Sequence, residues 1–189
     1  MPGPRIPPIE PPYTPDIENM LEKWMPPDSG LEPLKLFRTL AVHEELAARM
    51  RPTGAGLLGP KSTLDPRDRE IVLHRTCALN GAEYEWGVHV VTFGRPLGLT
   101  EEQLASTVDG VPDDPCWSDR DALLVRAADE LHASSSVSDE LFAALAEHWR
   151  PDQILEIVIL AGWYRLISLV VNAAAIEQEP WAARFSDVS

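Results

Sequence analysis

The residues from Asp65 to Val90, DPRDREIVLHRTCALNGAEYEWGVHV, gather acids and imidazoles into one helical pattern. Glu70, His74 and Cys77 recur at i, i+4 and i+7, the spacing of a single helix face, and Glu85 and His89 stand at i, i+4 on a following helix. Asn80-Gly81 separates the two and suits a left-handed helix end. If the helices form an antiparallel hairpin, Glu70 approaches His89, and two carboxylates and an imidazole share a small volume. Burying such groups is costly unless they are partnered. An imidazole beside carboxylates is held charged, and such a set suits general acid–base work near neutral pH. The same spacing also describes an exposed ion pair on a solvated face, a common and energetically minor arrangement that spacing alone favours.

The elements that would position these side chains read as helices throughout. A first helix is expected from Glu32 to Arg51, with an apolar stripe of Leu34, Phe37, Leu40, Ala41, Leu46 and Met50, ended by Pro52-Thr-Gly-Ala-Gly. Asp65 as N-cap and Pro66 at the first helical position open the second, which stops at Asn80-Gly81. The third runs from Ala82 to Phe93. Thr100-Glu-Glu-Gln is a capping box for a short fourth helix, Ser118 and Ser138 open the fifth and sixth, and Pro151 opens a long seventh to about Glu177. No strand pattern stands out, so the fold class is all-α with about seven helices.

At 189 residues and 44% apolar content the chain suits one compact domain. Residues 1–31 hold nine of the eighteen prolines and read as an extended, largely non-helical arm. That arm is either a free tail or a strap around a neighbouring subunit, with Ile6, Ile9, Tyr13 and Trp24 as anchors; the helical domain would cover 32–180. A formal charge of -14 argues against nucleic acid as partner. Two cysteines, Cys77 and Cys116, do not make a disulfide framework, and a reducing, cytoplasmic compartment is expected. The N-terminus lacks the apolar core of a secretory signal. The apolar stretch Ile154 to Ile176 carries Glu156, Arg165 and Asn172, which suits a buried or subunit-facing helix rather than a membrane span. His43, His74, His89, His132 and His148 show no zinc-site spacing, so no metal is expected.

Arg69-Glu70, Asn80-Gly81, Tyr84-Glu85-Trp86 and His89 together resemble the carboxymuconolactone decarboxylase and alkyl hydroperoxidase D superfamily. The run from Glu156 to Asn172 resembles that family's terminal helix, so the resemblance covers roughly Leu31 to Glu179. It implies an alkyl hydroperoxidase D-like helical fold and a homo-oligomer, as dimer, trimer or hexamer. In the hydroperoxidase branch a glutamate is followed twelve positions on by Cys-x-x-Cys, and a histidine lies four beyond the second cysteine. Here the glutamate and histidine fall on Glu70 and His89, whereas the cysteine positions hold Ala82 and Glu85. Thiol–disulfide exchange needs an attacking and a resolving thiol, so that activity does not carry over. The decarboxylase branch, which also lacks the pair, matches better.

The resemblance implies that Glu70, Glu85 and His89 are catalytic, with His89 and Glu85 moving a proton and Glu70 orienting His89, and that no cofactor is needed. The substrate would be a small organic acid or lactone. Tyr84 and Trp86, flanking Glu85, would offer an aromatic wall if they are not simply core. Arg165 would hold a substrate carboxylate if it is not paired within the structure. Three functions remain open on these residues: an acid–base decarboxylase or isomerase, a hydroperoxidase-type redox protein, and a non-catalytic oligomeric binding module in which Glu70 and His89 only tie the helices together.

Overall fold

A computed structural model of the chain describes residues 3–25 and 30–188. Among these the regular elements are helical, as expected. They are α1 (Pro15–Trp24), α2 (Lys35–Leu40), α3 (Glu44–Leu58), α4 (Pro66–Leu79), α5 (Glu83–His89), α6 (Glu101–Asp109), α7 (Asp119–Ser134), α8 (Asp139–His148) and α9 (Pro151–Ala174). The count exceeds seven for two reasons. A helix forms inside the proline-rich arm, where Thr14 caps and Pro15 starts α1. The first expected helix is also split at a 3-10 turn, Ala41–His43.

Two boundaries differ from expectation, each for a packing reason. The arm is not wholly extended: α1 is amphipathic and buries Leu21. The strand-like residues before it lie along the same chain, with the Arg5 amide donating to the Ala174 carbonyl at 2.8 Å and Arg38 paired with Glu10 at 2.6 Å. Helix α3 does not stop at Pro52 but runs on to Leu58. Gly54 lets that extra turn press against the Trp163 indole, where a Cβ would lie 3.1 Å from the ring. Tertiary contact overrides the weak local propensity there.

Helix α4 is the axis of the molecule, packed by α5, α6, α7 and α9. Every residue from Asp68 to Cys77 is buried, although the helix is rich in charge. Each charge has a dedicated partner. Asp68 accepts from the Trp149 indole and pairs with Arg120. Arg75 forks onto Asp129 and reaches the carbonyls of Ser106 and Thr107. Gly81, in the left-handed region at φ 62, then reverses the chain into α5, giving the antiparallel hairpin. Nine residues later the helix widens into a π-turn, Val90–Gly94.

Helix α9 buries one face, Ile157, Leu160, Ala161, Tyr164, Ile167, Ser168 and Val171, against the core. Its other face leaves Leu155, Ile159, Leu166 and Leu169 exposed. By length and composition it is long and apolar enough to cross a membrane.

The C-terminal segment closes over α5 at Gly87, whose carbonyl accepts from the Ala183 amide at 3.2 Å. A Cβ on Gly87 would stand 2.0 Å from the Ala183 carbonyl oxygen. Gly87→Ala is therefore expected to cost about 1–3 kcal/mol as an overpacking defect, read from urea denaturation monitored by circular dichroism; unchanged stability would mean that the C-terminal segment yields freely.

Candidate active site

The hairpin brings the acids and imidazole of the two helices into one buried cluster. Glu70 is fully buried on α4, and its Oε2 accepts from His89 Nδ1 at 2.9 Å. On its other side His89 Nε2 lies 3.3 Å from the Tyr164 hydroxyl and 3.5 Å from Glu85 Oε1. Arg69 Nε stands 3.5 Å from Glu70 Oε1 and is itself buried. The imidazole thus lies between two carboxylates, and the solvated ion pair that spacing alone favours does not form.

Electrostatics follow from this crowding. Burial by itself pushes the Glu70 carboxyl up, but His89, by charge and hydrogen bond, with His74 and Arg69, outweighs it and holds the group below the usual carboxylate range. Burial by itself lowers His89; Glu70, then Glu85, reverse this and raise it to about 9. At neutral pH His89 is an imidazolium, with both ring N–H groups donating. Tyr164 is held as the neutral phenol by burial and by the nearby Glu85 and Glu70.

His74 plays the opposite part. Its Nδ1 lies 2.7 Å from the Glu70 backbone carbonyl, which can only accept, so that nitrogen carries the proton. Its Nε2 is a buried lone pair without a partner, and burial, with the charge of His89, lowers it to about 4. Its ring packs against Gly94, where a Cβ would meet Cε1 at 3.0 Å, so the π-turn makes room for it. Cys77 is fully buried, and burial pushes its thiol well above the usual range. Among the described residues no three His, Cys, Asp or Glu side chains are grouped to hold a metal ion.

Glu85, His89 and Tyr164 line a cavity of about 460 Å³. Its other walls are almost entirely apolar and come from α1, α2, α3, the π-turn, α9 and the C-terminal segment, with Trp24, Phe37, Phe93, Trp163 and Trp181 among them. Glu85 Oε2 is buried without a hydrogen-bond partner.

The three expected catalytic residues are therefore together, while the three expected substrate contacts lie elsewhere. Tyr84 is a tie between segments: its hydroxyl donates to Glu179 at 2.7 Å and accepts from the Leu36 amide. Trp86 is fully buried core, its indole donating to Thr107. Arg165 is exposed on the outer face of α9 and reaches the His132 carbonyl. None of the three lines the cavity. Tyr164, one position earlier, is the residue of α9 that meets His89. It falls in the i, i+3, i+4 series of the buried face, and a phenol there needs a partner; that signal was present in the sequence, as was the buried Arg69 beside Glu70.

Residues 44–129 match the model of the carboxymuconolactone decarboxylase family. No curated protein matches the sequence. Among solved structures the chain is similar to an uncharacterized peroxidase-related protein from Silicibacter sp. TM1040, with TM-score 0.76 and 15% identity over 93% of this chain and 92% of that one. It is also similar to a protein of unknown function from Agrobacterium tumefaciens, described as a putative antioxidant defence protein AhpD, with TM-score 0.64 and 18% identity over 74% of this chain and 94% of that one. At these identities the likeness is one of fold.

The two histidines give stability a defined pH dependence. His89 gains its proton on folding, so its contribution is complete below its unfolded value of 6.5 and is lost as pH rises through about 9. His74 resists protonation, so stability falls as pH drops from 6.5 through about 4. Thermal denaturation followed by circular dichroism should show greatest stability near pH 6.5, with His89→Gln flattening the alkaline limb and His74→Gln the acidic one. An alkaline limb that survives His89→Gln, or a fall between pH 6.5 and 4.5, above the range where Glu70 titrates, that survives His74→Gln, would assign that histidine to solvent.

Proposed function

We propose that the chain, whose residues 44–129 match the carboxymuconolactone decarboxylase family, is a member of that superfamily and a cofactor-independent acid–base enzyme acting on a small organic acid or lactone, as a decarboxylase or an isomerase. The observation that carries this reading is the placement of His89, charged and held between Glu70 and Glu85, on the wall of an apolar cavity. Glu70 fixes the ring through Nδ1, which leaves the Nε2–H to act on a ligand. Glu85 is the acceptor on the same side.

In a decarboxylation, the carbanion left by loss of CO2 would take the Nε2 proton of His89. In an isomerisation, Glu85 would remove a proton from carbon while His89 donates to the adjacent oxygen, and the proton would return at another carbon. Each step moves only protons and carbon-bound electron pairs. The low-dielectric wall strengthens both interactions. Thiol peroxidase chemistry is not supported: positions 82 and 85 carry Ala and Glu, and Cys77 is buried with its thiol held protonated.

Homo-oligomerisation and a cytoplasmic location belong to the same reading. The exposed apolar stripe of α9 supports the first, since a contiguous apolar face on a charged protein is a surface for association.

The test is a panel of lactones and β-keto acids incubated in D2O, read by NMR for deuterium uptake and by released CO2. His89→Gln is expected to lower turnover by about 10²–10⁴-fold with the far-ultraviolet spectrum unchanged. Cys77→Ala should leave it unaltered. Equal turnover in His89→Gln would remove the acid–base reading and favour a binding module in which Glu70 and His89 are structural.

A further inference from the structure

The cavity is graded in polarity from its floor to its mouth. Its floor holds Glu85 and His89, only 6% and 4% exposed. Its walls are the aromatic and aliphatic side chains described above. The remaining cations on its lining are Lys23, at the end of α1, and Arg51, on α3. Lys23 is exposed and Arg51 half-buried, which places them toward solvent. Arg51 donates through both Nε and Nη2 to the Lys23 carbonyl, at 3.2 and 2.8 Å, pinning α1 to α3 where both residues line the cavity. Among the described residues no carboxylate is paired with either.

The floor is ill suited to an anion. The positive charge of His89 is already flanked by Glu70 and Glu85, so a ligand carboxylate there would add a third acid to one imidazolium in a low-dielectric site and stand beside Glu85. The floor does need a hydrogen-bond donor, because Glu85 Oε2 is buried and unpartnered. The mouth is the reverse, with two cations and, among the described residues of the lining, no acid other than Glu85 on the floor.

We propose that the cavity binds an amphipathic monoanion, whose anionic group rests on Lys23 and Arg51, whose apolar body lies along the aromatic walls, and whose far end presents a neutral carbonyl or enol to Glu85 and His89. This ligand class rests on the acid–base reading for its chemistry and narrows it. With the anionic group at the mouth, the group at His89 is not a leaving carboxylate. The reaction is then a proton shift in an unsaturated carbonyl compound: a C–H proton beside the carbonyl passes to Glu85, the Nε2 proton of His89 passes to the carbonyl oxygen, and on reketonisation of the dienol the oxygen's proton returns to His89 while Glu85 delivers its proton to a different carbon. Atoms and charge balance without an oxidant or a cofactor.

Binding can be read without turnover, because Trp24, Trp163 and Trp181 line the cavity while the other three tryptophans do not. The full-length protein is titrated with 4-oxo-4-phenylbutanoate, its methyl ester, 4-phenylbutylamine and succinate, following tryptophan quenching. The keto acid is expected to quench saturably and to bind about tenfold or more tighter than the other three, the effect of charge-assisted hydrogen bonds at the mouth. Lys23→Gln, which leaves the Arg51 tie to the backbone in place, should remove most of that preference while the ester is unaffected. Tightest binding of the amine would assign the aromatic walls and Glu85 to a cation. Tightest binding of the ester or of succinate, or no saturable quench, would equally overturn the proposal. A protein that binds the keto acid yet exchanges no deuterium into any of the panel of lactones and keto acids refutes the acid–base reading, whereas one that turns over small dianions and ignores the keto acid refutes only the ligand class.

Discussion

The burial of one carboxylate, Glu70, governs the architecture. An acid with no exposed surface in a helical core is tolerated only where opposite charge and donors surround it, and removing a partner from such a pair typically costs about 3–5 kcal/mol. Here the charge and the donor come from two places, Arg69 on the same helix and His89 from the far side of the hairpin, while His74 packs one turn along with its proton committed to the backbone. Each needs the chain to bend in a particular way. Gly81 allows the reversal that delivers His89, and Gly94 in the π-turn gives His74 its space. The two imidazoles lie with ring centroids 6.4 Å apart, one charged and the other neutral. One is beside the carboxylate and the other beside a carbonyl.

Much of this was legible in the residues. The caps at Asp65, Thr100, Ser118 and Ser138 act as their types predict, each side chain accepting from a backbone amide in the first turn. The i, i+4 pairs and the Asn80-Gly81 break located the hairpin, and so the meeting of Glu70 and His89. What spacing left open was burial. The sequence of α4 is charged enough to read as a solvated helix, and only the pairing of Asp68 with Arg120 and Arg75 with Asp129, residues some fifty positions apart, makes a core helix of it.

The three residues that fall outside the cavity do so for one cause. Tyr84, Trp86 and Arg165 were selected because they neighbour important residues in the chain, but on a helix a neighbour in sequence points about 100° away. Trp86 therefore enters the core behind Glu85, and Arg165 turns out to solvent while Tyr164 points inward. The walls of the cavity are assembled from segments remote in sequence. Trp24 stacks edge-on to Phe37 at 4.7 Å, and Gly54 accommodates Trp163. No local pattern announces such long-range complementarity, and a proline-rich segment read as an arm conceals that its helix is part of a wall.

The acid–base residues and most of the aromatic walls around them occupy different parts of the chain. Glu70, Glu85 and His89 fall inside the stretch that matches the family, residues 44–129, while Trp24, Phe37, Trp163, Tyr164 and Trp181 fall outside it. The chemistry and the container are thus separable inheritances. Changes in the first forty residues or in the last helix can remake what fits against His89 without touching its partners, and two relatives with the same hairpin can face quite different molecules.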